Sequence, residues 1–152
     1  MPSRRLITFV ILLLSVGLAK AQEKFVILNI GFKFGYAVSD QSSLVGGIEV
    51  SLNYYRDGKG VGILVSTEQL SGREMDHYAV QGFLGLVGMS FGPSVMRTKD
   101  DTTSGYSCTL FGGAIALPYY RFTTLQNGVS AHEFGFFAKL PLSFIYPKFS
   151  GS

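Results

Sequence analysis

The chain has 152 residues, 47% of them hydrophobic and 14% aromatic, with 13 basic and 10 acidic side chains. Its one cysteine, Cys108, excludes an intrachain disulfide and any cysteine-built metal cluster. The sequence pI of about 9.0 belongs to the start of the chain. Arg4, Arg5 and Lys20 fall in the first 21 residues, and residues 22–152 carry ten basic and ten acidic groups, so no basic stripe points to nucleic acid.

Arg4 and Arg5, the 13-residue apolar run Leu6 to Leu18, and Ala19-Lys20-Ala21 before Gln22 form the three parts of a secretory signal. The run is short of the ~20 residues that a spanning helix needs. These features predict a cleaved leader over 1–21, export through the general secretory pathway, and a single domain over 22–152. The remainder holds no stretch of 18 uninterrupted apolar residues, which argues against a helical membrane protein.

From residue 24 onward the pattern alternates with period two. The first segment, 24–38, sets Val26, Leu28, Ile30, Phe32, Phe34 and Tyr36 against Asn29, Gly31, Lys33, Gly35 and Ala37. Successive strand side chains point to opposite faces, so a continuous apolar stripe backs onto small and charged groups. A polar turn at Ser39-Asp40-Gln41-Ser42 leads to the second segment, where Leu44, Ile48, Val50, Leu52 and Tyr54 oppose Gly47, Glu49, Ser51 and Asn53. It closes at Asp57-Gly58, a tight-hairpin signal because both central residues need positive φ. The third sets Val61, Ile63 and Val65 against Gly62, Ser66 and Glu68, and breaks near 70–75.

Residues 76–96 show no polar turn, yet they exceed the ~9–11 residues of a tilted spanning strand. The apolar set is even before Gly85 (Tyr78, Val80, Leu84) and odd after it (Val87, Met89, Phe91, Val95). A change of parity requires a turn or a bulge. The parity change predicts a very tight turn near Gly85, with a bulge in one long strand as the alternative. After a polar stretch at 97–105, a sixth segment covers 106–116, Pro118 marks a turn, and a seventh ends at Leu125. Asn127-Gly128 precedes the last, in which Phe134, Phe136, Leu140, Leu142 and Phe144 oppose Glu133, Gly135, Lys139 and Ser143.

The count is eight, and the predicted fold class is all-β, an eight-stranded antiparallel up-and-down transmembrane β-barrel with lipid outside and a polar lumen. With both ends periplasmic, the connections at 57–58, near Gly85 and near Leu117 fall inside. Those at 39–42, 70–75, 97–105 and 126–129 fall outside. The eight tyrosines then sort into an outer ring, Tyr36, Tyr78 and Tyr106, and an inner ring, Tyr54, Tyr55, Tyr119, Tyr120 and Tyr146. Phenol rings favour the headgroup level, where the ring is half buried and the hydroxyl stays wet.

Over residues 24–146 this pattern resembles the small eight-stranded bacterial outer-membrane barrels, typified by the transmembrane domain of outer membrane protein A and by outer membrane protein X. The leader end Ala21-Gln22 is similar to those common in Bacteroidetes. The resemblance implies an outer-membrane location, with outer-membrane lipid and the barrel-assembly machinery as partners. Two departures stand out. Family members usually end on an aromatic residue read by that machinery, whereas Phe149 is followed by Ser150-Gly151-Ser152. Their external loops are also generally longer, and the short ones here leave little surface for adhesion.

The candidate lumen charges are Lys33, Glu49, Glu68, Arg121, Glu133 and Lys139, three of each sign. They read as a pore lining or proton path on one view, and as a self-neutralising network on the other. The second is favoured, because eight strands enclose an interior just wide enough for side chains to fill. Ser130, His132 and Glu133 suggest a hydrolase, but strand neighbours point to opposite faces and no Gly-x-Ser-x-Gly turn occurs. No catalytic residue, metal site or cofactor is expected. Inward glycines (Gly31, Gly35, Gly47, Gly88, Gly92, Gly135) fit close packing, while Pro93 and Pro141 should mark bulges or strand ends. The expected function is a structural or interaction role in the outer membrane, without a wide channel and with no external ligand specified. The rivals are a soluble lipocalin-like barrel holding a hydrophobic ligand, which needs its apolar stripes inside, and an outer-membrane lipid-modifying enzyme.

Overall fold

The computed structural model describes residues 24–39, 41–113 and 116–145. The expected leader over 1–21, Tyr146 and the chain end after Phe149 lie outside the described residues. Eight strands follow one another: β1 (Phe25–Val38), β2 (Ser43–Arg56), β3 (Lys59–Leu70), β4 (Arg73–Leu84), β5 (Val87–Arg97), β6 (Thr102–Gly112), β7 (Ala116–Leu125) and β8 (Ser130–Ile145). Each pairs antiparallel with the next, and β8 returns to β1, closing the barrel. Closure leaves no row of unpaired backbone groups, the condition for a sheet to sit in hydrocarbon.

The stagger of the barrel can be followed through one row of paired residues. From Gly35 it passes through Gly135, Tyr119, Phe111, Gly88, Phe83, Gly60 and Tyr55, and returns to β1 at Phe25, ten residues below its start. A stagger of this kind tilts strands by roughly 35–45° and leaves an interior that side chains alone can fill.

Turn chemistry fixes the two rims. At one rim, called here the terminal rim, Asp57 and Gly58 both have positive φ, 51° and 74°, as the Asp-Gly pair predicts. Gly85 also has positive φ, 60°, and the chain reverses there in two residues, so the change of parity is a turn rather than a bulge. Gly85 N–H donates to Gly58 O and Gly113 N–H to Leu86 O, both 2.9 Å, tying adjacent turns together. At the opposite loop rim, Ser71-Gly72 makes another two-residue turn, with φ of 39° and 83°.

Three boundaries differ from the sequence reading. The polar run 97–105 is mostly strand: β6 begins at Thr102, where threonine and serine pair with the end of β5, so the connection shrinks to 98–101. The break at 70–75 is only residues 71–72. Leu117 and Pro118 lie inside β7 rather than in a turn, and the chain reverses between Gly112 and Ala116. Pro118 is tolerated because it lies beyond the last β6–β7 pair, Phe111 with Tyr119, where no ladder donor is required. Pro141 does mark a bulge, at the register shift between Leu28 and Asn29. Pro93 sits mid-strand, and around it the β4–β5 ladder skips from His77↔Ser94 to Val80↔Phe91 without changing register.

Candidate functional site

Strand phase sends one set of side chains inward and the other outward. The outward set is apolar and exposed: Leu44 at 75%, Phe34 at 67% and Val61 at 63% stand for a belt that continues around every strand. The inward set is buried and largely polar, with Lys33, Glu49, Glu68, Arg121 and Glu133 almost wholly inaccessible. A lipocalin-like barrel needs the inverse arrangement, and this barrel does not have it.

The lumen holds a dense ionic group. Lys33 Nζ lies 2.6 Å from Glu68 Oε1 and 2.6 Å from Glu133 Oε1. Arg121 Nη1 donates to Glu68 Oε1 and Oε2 at 2.7 and 2.9 Å, and its Nε donates to Thr109 Oγ1 at 3.0 Å. Tyr119 Oη donates to Glu133, and Lys33 Nζ sits 4.6 Å from the Tyr119 ring centre. Removing an ion from water costs several kcal/mol even after relaxation, so such a group persists only when charge and hydrogen bonds are both satisfied. Two cations facing two carboxylates meet the first condition, and the short charge-assisted contacts meet the second.

A separate pair lies beside it. Lys139 Nζ is 2.5 Å from Glu49 Oε1, and the ammonium also rests 5.1 and 5.2 Å from the Phe137 and Phe111 ring centres. Neither Glu49 oxygen has an aligned hydrogen-bond donor, although Lys139 touches one of them. The short N–O distance establishes the ion pair, and the poor alignment makes it Coulombic contact more than hydrogen bond. Farther along, Gln81 Nε2 donates to Asn53 Oδ1 at 2.5 Å and Asn53 Nδ2 to Ser51 Oγ at 3.3 Å.

Sequence reasoning missed His77, which is buried at the centre of the first group. Its Nδ1 lies 2.7 Å from Ser94 Oγ and 3.1 Å from Ser107 Oγ, and its Nε2 lies 3.3 Å from Glu68 Oε2. Serine, histidine and glutamate in that order resemble a nucleophile, base and orienting acid. The geometry opposes that chemistry. Arg121 contacts Nε2, and a guanidinium has only donors, so Nε2 is the acceptor and Nδ1 carries the proton. His77 therefore cannot take a proton from Ser94. Ser94 is also fully buried.

Apolar clusters pack inside the barrel toward each rim. Ala37, Val45, Leu70, Met75, Met96 and Leu125 gather at the loop rim, and Phe111, Tyr119 and Phe137, backed by Phe83 and Leu117, gather toward the terminal rim. Two glycines make room for this second cluster. A Cβ on Gly135 would stand 2.7 Å from Tyr119 Cε1, and one on Gly35 would meet the Tyr119 hydroxyl.

The remaining candidates scatter. Tyr36, Tyr78 and Tyr106 face outward and are about half exposed, and Tyr54 and Tyr120 share that outward phase. Tyr119 and Tyr55 do not belong to a rim ring: Tyr119 is buried on Glu133, and Tyr55 is inward, stacked on Phe25 at 5.1 Å and against Phe83 at 5.4 Å. Consecutive strand residues point oppositely, so only one of each pair Tyr54-Tyr55 and Tyr119-Tyr120 can face outward. His132 and Glu133 likewise part company, with His132 Nδ1 engaged by Tyr120 Oη at 2.8 Å on the outside. Asp101 organises its own loop through Thr98, Thr102 and Thr103. Among the described residues no group of three or more histidine, cysteine, aspartate or glutamate side chains is placed to hold a metal.

The chain is similar to two solved barrels. Neisserial surface protein A superposes with a TM-score of 0.45 at 9% identity, over 76% of this chain and 96% of that one. Ail, the attachment invasion locus protein of Yersinia pestis, gives 0.38 at 14% identity, over 78% of this chain and all of the other, 100%. No protein-family model and no curated protein sequence matches the chain.

Proposed function

We propose that the chain is an integral protein of a bacterial outer membrane, a barrel with a side-chain-filled lumen and a structural or interaction role. The proposed route is export through the general secretory pathway, loss of residues 1–21, and insertion by the barrel-assembly machinery. One observation carries this reading: a closed sheet turns its apolar side chains out and its ions in. In water that arrangement would expose a belt far larger than the few hundred Å² of contiguous apolar surface a soluble monomer tolerates. Against hydrocarbon the same belt is the matched surface. The filled lumen supports a role other than bulk diffusion.

Electrophoresis of outer-membrane fractions, with and without boiling, tests location, and planar-bilayer recording of the purified protein tests the lumen. A band in that fraction that shifts on heating, together with no steady conductance, is the expected result. Recovery only from the soluble fraction would overturn the location, and steady porin-like current would overturn the filled lumen.

A further inference from the structure

The apolar belt is interrupted once by charge away from the terminal rim. Arg56 and Lys59 flank the turn at that rim, as expected where the chain leaves the membrane. Elsewhere, Glu74, Asp76 and Arg97 are the charged residues with outward phase among the described strand positions. Arg97 Nη1 lies 2.5 Å from Asp76 Oδ2 and 3.9 Å from Glu74 Oε1, and Thr67 Oγ1 donates to Glu74 Oε1 at 3.3 Å. Asp76 is nearly buried, whereas the Arg97 and Glu74 side chains remain 47% and 45% exposed.

Directly below this cluster the outward surface carries two shallow, open hollows. One hollow of about 430 Å³ runs along Ile48, Val50, Leu52, Ile63 and Val65 and ends at Thr67 and Asp76. A second, of about 660 Å³, shares Leu52 and Ile63 and continues past Val61, Val80, Met89 and Phe91, with Gly82 at its wall. The two form one apolar trough with a polar head end. Carboxylates on the lipid face of a barrel are destabilising unless they lie near an interface. The cluster therefore marks the depth at which headgroups begin.

We infer that this trough seats one phospholipid with a zwitterionic, amine-bearing headgroup, an acyl chain along the hollows and the head on Arg97 and Glu74. The inference rests on the membrane reading above. Charge complementarity selects the head. Asp76 occupies one edge of the Arg97 guanidinium, which has five N–H donors, so the rest can meet a phosphate. Glu74 keeps exposed acceptor capacity beside it, the complement of an ammonium. An anionic headgroup would satisfy Arg97 and repel Glu74.

The test uses the full chain folded in non-ionic detergent micelles, with native mass spectrometry after adding phosphatidylethanolamine or phosphatidylglycerol of identical acyl chains. Wild type should retain one phosphatidylethanolamine in preference to phosphatidylglycerol. Loss of a charge-assisted contact in Arg97→Gln or Glu74→Gln should lower that retention about tenfold. Gly82→Leu should reduce retention of both lipids by filling the trough. Its fold is protected, because a Cβ there meets nothing within 4 Å. Equal retention of the two lipids by wild type, or retention unchanged in all three variants, would overturn the proposal. So would a dimer that buries the trough without lipid. A wild type that never folds into micelles, with no heat-shifted band, overturns the membrane reading itself, whereas a folded protein without headgroup preference overturns only this site.

Discussion

Two ionic groups inside one lumen reach neutrality by different means. Lys33, Arg121, Glu68 and Glu133 form an interlocked set in which each carboxylate meets both cations, with His77 and Thr109 accepting from Arg121, and Tyr119 and Ser66 donating to the carboxylates. Glu49 and Lys139 form a lone pair, in which a nearly inaccessible carboxylate has one cation and no aligned donor. Charge balance is the same in both, so what separates them is hydrogen-bond satisfaction. A satisfied group is hard to remove piecemeal, while a poorly satisfied one gives up little when it is removed whole.

The sharpest way to break the comparison is Glu68→Ala, which leaves Lys33 and Arg121 with Glu133 as their one remaining carboxylate. It should cost about 3–5 kcal/mol, read from denaturant unfolding in micelles. Lys33→Ala belongs to the same class, since it leaves Glu68 and Glu133 with Arg121 as their one remaining cation. Next comes a charge with no partner at all: Leu52→Arg or Phe136→Arg on the belt should cost about 2–4 kcal/mol. Membrane assembly unaffected by both would reject the lipid-facing assignment. Gly47→Ala presses on the satisfied group sterically, because its Cβ would stand 2.7 Å from both Glu68 Cγ and Thr67 O. The expected loss is about 1–3 kcal/mol. The smallest effect is expected from replacing the lone pair entirely. Glu49→Gln with Lys139→Met should stay within about 1 kcal/mol of wild type, and a loss as large as that of Glu68→Ala would show that the two groups do not differ as argued.

Most of the barrel was legible because its alternation carries phase as well as composition. The parity change at Gly85 located a turn that no polar residue announces, and the same phase put Lys33, Glu49, Glu68, Arg121, Glu133 and Lys139 on the inner face. His77 escaped because it stands beside Asp76 and Tyr78, and its neighbours in phase, Met75, Gln81 and Phe83, form no obvious polar set. Phase alone could have found it. The partners within the lumen were not legible: Arg121 lies 53 positions from Glu68, and their meeting depends on the ten-residue stagger, which no local pattern encodes. Polar composition also misled at 102–105, where serine and threonine at the barrel rim make strand rather than loop.

The seam between β1 and β8 has a consequence for how the cylinder is completed. Every other pairing joins strands adjacent in sequence, so hairpins can form as the chain arrives, whereas this one joins the first strand to the last. Loop closure over the whole domain is the slowest contact to find. The seam is irregular only near Pro141, close to the terminal rim, and runs in unbroken register from Asn29↔Pro141 to Val38↔His132. Closure is therefore expected to zip from the loop rim toward the chain ends, with the proline end the last to lock and the first to fray.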